Sequence, residues 1–234
     1  MKTIHITLEL TNEEAESRYL SRKGLMESIG ITKLNKTYGK YGVPVLTKKG
    51  FLEQEEQKRG APRKYKLLKE LPSTDEFRKL SNEMYKITIE DLIGNARGTI
   101  EELASELRDW HDNLPESLQE GDKGSTLEES ASTLEGLDIS DLPDWATNAD
   151  HTTVFFPDLK CESRADRASE ASEELRAAAE RLREEAQNLE QSKEGATHEE
   201  NKKRAEQGDE LSNLADEYES VADEISGVEF PGMY

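Results

Sequence analysis

A single cysteine, Cys161, stands in 234 residues, so the chain can form no disulfide within itself and no thiolate metal cluster. Histidine is nearly as sparse. His5, His111, His151 and His198 lie far apart, without the short spacing that brings two imidazoles onto one metal. No stretch approaches the ~20 apolar residues of a membrane span, and the opening MKTIHITLELTNEE has no apolar signal core. A phosphate-cradling glycine frame is missing too, since GDKGS at residues 121–125 has the composition of a turn. Carboxylates are abundant, but they fall opposite apolar stripes, the pattern of a solvated helix face rather than of a paired acid and base. These absences set the expectation of a reducing, cytoplasmic setting, with no metal, cofactor, membrane contact or enzymatic activity.

Hydrophobic residues make up 33% of the chain and charged residues 35%, against roughly 45–50% and 25% in ordinary globular domains. Such a chain builds thin cores between amphipathic elements. Its charge is unevenly spread. Residues 1–86 hold 18 Lys/Arg against 12 Asp/Glu, and the remainder holds 13 against 39, a net of −26. Between residues 33 and 69 the balance is 11 basic to 3 acidic. A basic module joined to an acidic body implies division of labour.

In the basic module, Ile4, Ile6, Leu8 and Leu10 alternate with polar residues and predict a half-buried strand. Thr11 or Asn12 can cap a following helix. Thr32 is placed to cap a short helix ending near Tyr38, and Gly39 and Gly42 to bracket a tight turn. Pro44 suits the first residue of a second helix, which Gly50 can close in a left-handed conformation. Two short helices around a glycine turn form a helix-turn-helix pattern. GFLEQEEQ and PRKYKLLKE then read as two strands about the turn KRGAP, with Phe51 or Leu52 and Tyr65 and Leu67 facing a core.

The stretch LTKKGFLEQEEQKRGAPRKYKLL resembles the end of a winged helix-turn-helix domain in small bacterial and phage regulators. There a recognition helix runs into a glycine–apolar–apolar strand, and a basic turn forms the wing. The likeness covers about the first third of the chain and departs from the pattern between Leu34 and Leu46, which is short and glycine-rich. It implies DNA binding and transcription regulation. Phosphates take Lys and Arg, and Arg can also read a guanine edge. The expected DNA-binding residues are Lys48 and Lys49 near the end of the second helix, and Lys58, Arg59, Arg63 and Lys64 on the wing. The same cations on a plain solvated hairpin would only neutralise the acidic body or dock a protein.

The expected organisation is mainly α with a small α+β N-terminal part: a basic winged-helix-like domain over 1–72, a connecting helix over 73–98, and an acidic helical bundle over 99–234. Thr99 with Glu102 and Thr126 with Glu129 have the spacing of capping boxes. Two further helices carry Leu175, Ala178, Ala179, Leu182 and Ala186, then Leu211, Leu214, Ala215, Tyr218, Val221 and Ile225. A weak repeat pairs ESASTLEGLDI from Glu129 with SVADEISGVEF from Ser220, which suggests two helical hairpins packed as a bundle or coiled coil. The apolar, proline-punctuated segment between them either packs along the bundle or binds a partner. The alanine-rich stripe fits close packing within the chain or against a second copy. On the second alternative Leu175, Ala179, Leu182 and Ala186 form a homodimer face. The body resembles helical proteins of bacteria, phages and mobile elements that carry no assigned role. Two other classes of function stay open. The acidic body could bind a host protein by imitating nucleic acid, as phage-type inhibitors do, or the chain could be a plain adaptor.

Overall fold

The computed structural model describes residues 28–55, 63–147, 151–158, 163–191 and 195–231. The strand expected over the first ten residues and most of the helix expected from Asn12 to Gly30 lie outside the described residues, as do Lys58, Arg59 and Cys161. The end of that helix, Ser28–Gly30, is instead a strand, because it pairs with a distant segment of the chain. The chain divides into two compact units, Met1–Tyr85 and Lys86–Tyr234.

In the first unit β1 (Ser28–Gly30) runs directly into α1 (Ile31–Tyr38), and a short turn leads to α2 (Gly42–Lys48). β2 (Leu52–Gln54), β3 (Lys64–Leu67) and α3 (Thr74–Met84) follow. The sheet order is β1-β3-β2, antiparallel throughout, with Ile29 opposite Tyr65 and Leu52 opposite Leu67. Ile29, Leu34, Val45, Leu46, Leu52, Tyr65 and Phe77 close a small core. Thr32 does not cap α1. The helix starts two residues earlier, with Gly30 at its N-cap, because that residue is held in the β1–β3 ladder and delivers the chain straight into the helix. Pro44 is the third residue of α2 rather than its first, still within the first turn, where its missing N–H leaves no intrahelical bond unmade.

The connecting helix expected over 73–98 is two helices with different allegiances, separated by a short strand. α3 is opened by a capping box between Ser73 and Glu76, and its Phe77 belongs to the first core. After β4 (Lys86–Thr88), Thr88 opens α4 (Ile89–Asp112) by accepting the Asp91 N–H at 3.0 Å, and Ile89, Leu92, Ile93 and Ala96 enter the second core. Thr99 is therefore interior to α4. Thr126 is likewise inside α6 (Asp122–Glu135), where its hydroxyl donates back to the Asp122 carbonyl at 2.9 Å. The unit boundary falls at 85/86 because the apolar stripe changes cores there.

The second unit is a helical bundle. Besides α4 and α6 it contains the single turn α5 (Glu116–Gln119), β5 (Thr152–Val154), α7 (Arg164–Glu190) and α8 (His198–Ser226). α7 and α8 form an antiparallel hairpin: Arg183 bonds Asp216, Arg176 bonds Asp223, and Arg204 bonds the Asn188 carbonyl. A Cβ added at Gly208 would meet the Ala186 carbonyl oxygen at 3.1 Å. The two backbones thus approach as closely as small residues allow. Leu175, Ala179, Leu182 and Ala186 are all but fully buried in this core, at 0, 1, 1 and 2% exposure. Within the single chain α8 and α4 cover the alanine stripe, so the residues drawn as a homodimer face are used inside the bundle.

Residues 137–147 lie along the bundle. Ile139, Leu142 and Ala146 are buried, the Tyr218 hydroxyl donates to the Ser140 carbonyl at 2.8 Å, and Trp145 Nε1 donates to Glu210 at 3.0 Å. β5 then pairs antiparallel with β4. The weak repeat has a structural counterpart. Ala131 and Ala222 are both at 0% exposure, Leu134 and Ile225 at 2 and 1%. The closing glycines share one conformation, φ −85 and ψ −9 at Gly136 and φ −85 and ψ −10 at Gly227. The tails cross between hairpins: Ser140 accepts from Tyr218 of α8, while the Ser130 hydroxyl of α6 donates to the Glu229 carbonyl at 2.6 Å.

Candidate nucleic-acid interface

Two glycines shape the turn between α1 and α2 in the first unit. Gly39 turns the chain at φ 72, and its N–H reaches the Asn35 carbonyl at 2.9 Å. Gly42 packs so closely on α1 that an added Cβ would lie 2.6 Å from Tyr38 Cβ. Gly50, at φ 70, then reverses the chain out of α2, and Phe51 N–H donates to the Leu46 carbonyl at 2.8 Å. The turn feeds β2 directly. Tyr38 anchors the module at its centre: its ring packs at a tilt against Phe77 with ring centres 4.7 Å apart, its hydroxyl donates to the Pro72 carbonyl at 2.8 Å, and burial pushes its pKa up.

The expected cations separate into two groups. Lys48, at the last turn of α2, and Arg63 and Lys64, where the chain enters β3, are exposed. Lys49 is half-buried, and its ammonium pairs with Glu83 of α3 at 3.0 Å. Lys69 donates to the Lys49 carbonyl at 3.0 Å and covers the Phe51 ring at 3.8 Å. Lys49 and Lys69 thus tie the end of α2 to α3 and to the sheet. Lys58 and Arg59 lie outside the described residues. The sequence reading missed Lys33 and Lys36, both exposed on α1. Their signal is the spacing of three about a buried Leu34, which puts them on the solvent side. The Gly30–Lys64 pairing sets Lys64 beside the start of that helix.

Among the described residues of the second unit the arginines form no similar cationic face. Each of its eight arginines (97, 108, 164, 167, 176, 181, 183 and 204) bonds a carboxylate or carbonyl within the bundle. Glu106 receives both Arg164 and Arg167, and Arg167 above all holds its carboxyl below the usual range. Between α4 and α7 runs a groove of about 430 Å³ over Gly94 and Gly98, lined by Asn95, Thr99, Glu170 and Glu174 among others. Burial raises the Glu174 carboxyl to about 7, with Glu170 adding to the effect and a hydrogen bond from Asn95 opposing it. Among the described residues no group of His, Cys, Asp and Glu is arranged to hold a metal, and no helix is long and apolar enough to cross a membrane. No family model, curated protein or solved structure matches the chain.

Proposed function

We propose that the first unit is a winged helix-turn-helix module that binds nucleic acid, with α2 in the recognition position and the β2–β3 hairpin as the wing, carried on the acidic helical body. The observation that carries this reading is topological. α1 and α2 are inserted between β1 and β2, and the strands then assemble in the order β1-β3-β2. That arrangement presents one helix and one hairpin together, and Lys48, Arg63 and Lys64 are exposed on those two elements. Lysine and arginine on such elements meet phosphate oxygens, which supply most of the affinity of such modules. A role in transcription regulation follows if binding is coupled to the body. The body's net charge does not forbid the encounter, because exposed charges are screened beyond about 8–10 Å at physiological salt.

The test is a mobility-shift titration of the full chain on a mixed-sequence duplex at low salt, with wild type beside K48A/R63A/K64A. A shift by wild type that the triple variant loses supports the reading. No shift by wild type, or an unchanged shift by the variant, removes it.

A second reading is favoured by the arginine pattern. With all eight arginines paired within the bundle, the surface of the body is left dominated by carboxylates. Such a surface suits a basic protein groove, by imitation of nucleic acid. Substituting body carboxylates, rather than Lys48, Arg63 and Lys64, would then abolish partner binding.

A further inference from the structure

The helix in the recognition position reads GVPVLTK. Gly42, Val45 and Leu46 are buried, Val43 packs on the core, and only Thr47 and Lys48 are exposed. Base selection in the major groove rests on bidentate pairs: Arg or Lys with guanine, Asn or Gln with adenine, and carboxylates accepting from cytosine. α2 contains no Arg, Asn, Gln, Asp or Glu at all. Its one long polar side chain is the Lys48 ammonium, a rotatable point charge that lacks the fixed fork of a guanidinium and suits phosphate better than a base edge. The neighbouring exposed cations on α1, Lys33 and Lys36, are lysines too. Lys49, which could have added a second reader at the end of α2, is held by Glu83.

We infer that the module takes duplex DNA by its phosphate backbone without selecting a base sequence. This rests on the nucleic-acid reading above and names its ligand class. DNA rather than RNA duplex is the ligand, because the B-form major groove, about 12 Å wide, admits a helix, whereas the A-form groove is too deep and narrow for one. Binding of this kind depends on how many phosphates are neutralised, so affinity follows duplex length and salt, not composition.

The experiment is iterative selection of the full-length protein against a random-sequence duplex library, followed by anisotropy on A·T-rich, G·C-rich and mixed DNA duplexes and on an RNA duplex. The expected result is no enriched motif, DNA affinities that agree to better than tenfold, and weaker binding of RNA. K48A should lower affinity for all the DNA duplexes by the same factor. An enriched motif whose single-base changes cost roughly tenfold, the usual penalty of one wrong base pair, would overturn the inference and leave the module a nucleic-acid binder. Preference for the RNA duplex would also overturn it. Absence of binding to any duplex would remove the underlying reading and this one with it.

Discussion

Arg108 and Arg176 hold equivalent places in the two hairpins of the body. Arg108 of α4 donates to Ser132 and Glu135 in the last turn of α6. Arg176 of α7 donates to Asp223 and Ser226 in the last turn of α8. Ser132 aligns with Asp223 and Glu135 with Ser226 in the repeat that also matches Gly136 with Gly227. Each arginine therefore spans one hydroxyl and one carboxylate a turn apart, with the two roles exchanged. Buried neighbours agree as well: Leu103 and Leu107 in α4 correspond to Ala171 and Leu175 in α7, all at 0% exposure. The body is built as two related hairpins joined across α4 and α7.

Exchanging the roles in one hairpin should therefore be tolerated. S132D/E135S gives α6 the arrangement of α8, and its melting temperature should stay close to wild type. Removing the arginine instead, as R108A or R176A, should cost about 0.2–1 kcal/mol each, the worth of a largely exposed ion pair. Thermal melts of the three variants and of R108A/R176A check this, with additive losses expected for the double variant.

Placing a charge in the alanine stripe distinguishes an internal seam from a dimer face. Ala179 is 1% exposed. A179E should destabilise the body by about several kcal/mol, as a buried unpaired charge does, and cooperative unfolding by circular dichroism should be lost or strongly shifted. A variant that melts normally but sediments at half the wild-type mass would restore the dimer reading.

Glycine is needed for its backbone freedom at Gly50 and not at Gly227. Gly50 sits at φ 70, whereas Gly227 is right-handed at φ −85. G50A should lose about 1–2 kcal/mol from the left-handed penalty on a side chain. G227A should change stability little, since its Cβ would come no nearer than 3.4 Å to the Glu224 carbonyl oxygen. Denaturant melts of the two variants give the comparison.

The buried Glu174 makes the α4–α7 seam sensitive to pH. Its carboxyl titrates near 7 in the fold, against an ordinary value of 4.5. Between those values the folded chain holds a proton that the unfolded chain has released, so this group's contribution weakens as pH rises through the window. E174Q removes the titration. It should be more stable than wild type above pH 7, and the gain should shrink towards pH 4.5. A gain that is flat across that range would show that Glu174 is not protonated in the fold.

Much of this architecture was legible in the sequence, and the misses share physical causes. Gly39, Gly42 and Gly50 announced two short helices with a tight turn between them, because turns of positive φ and close helix approach require glycine. Leu52, Tyr65 and Leu67 announced the hairpin by alternation. The capping boxes at Thr99 and Thr126 misled because a chain with 51 acidic residues repeats the Thr-x-x-Glu spacing by chance inside helices. β4 and β5 are three residues each and meet across more than sixty positions, which local pattern cannot reveal. The capture of Lys49 by Glu83 spans 34 positions and was equally invisible. The alanine stripe was read correctly as a close-packing surface, but sequence could not say whether its partner lay in the same chain.

The salt dependence of DNA binding by the first unit tests the central claim most directly. Fluorescence anisotropy of the full chain on one mixed-sequence duplex, across a salt series, gives the slope of log affinity against log salt. Each phosphate contact contributes about −0.9 to that slope. Converting Arg63 and Lys64 together to alanine should weaken binding and flatten the slope by roughly two units. K49A, which loses only its Glu83 pair, should leave the slope unchanged. Wild-type binding whose slope is the same in the Arg63/Lys64 variant, or no wild-type binding even at the lowest salt, would contradict the account.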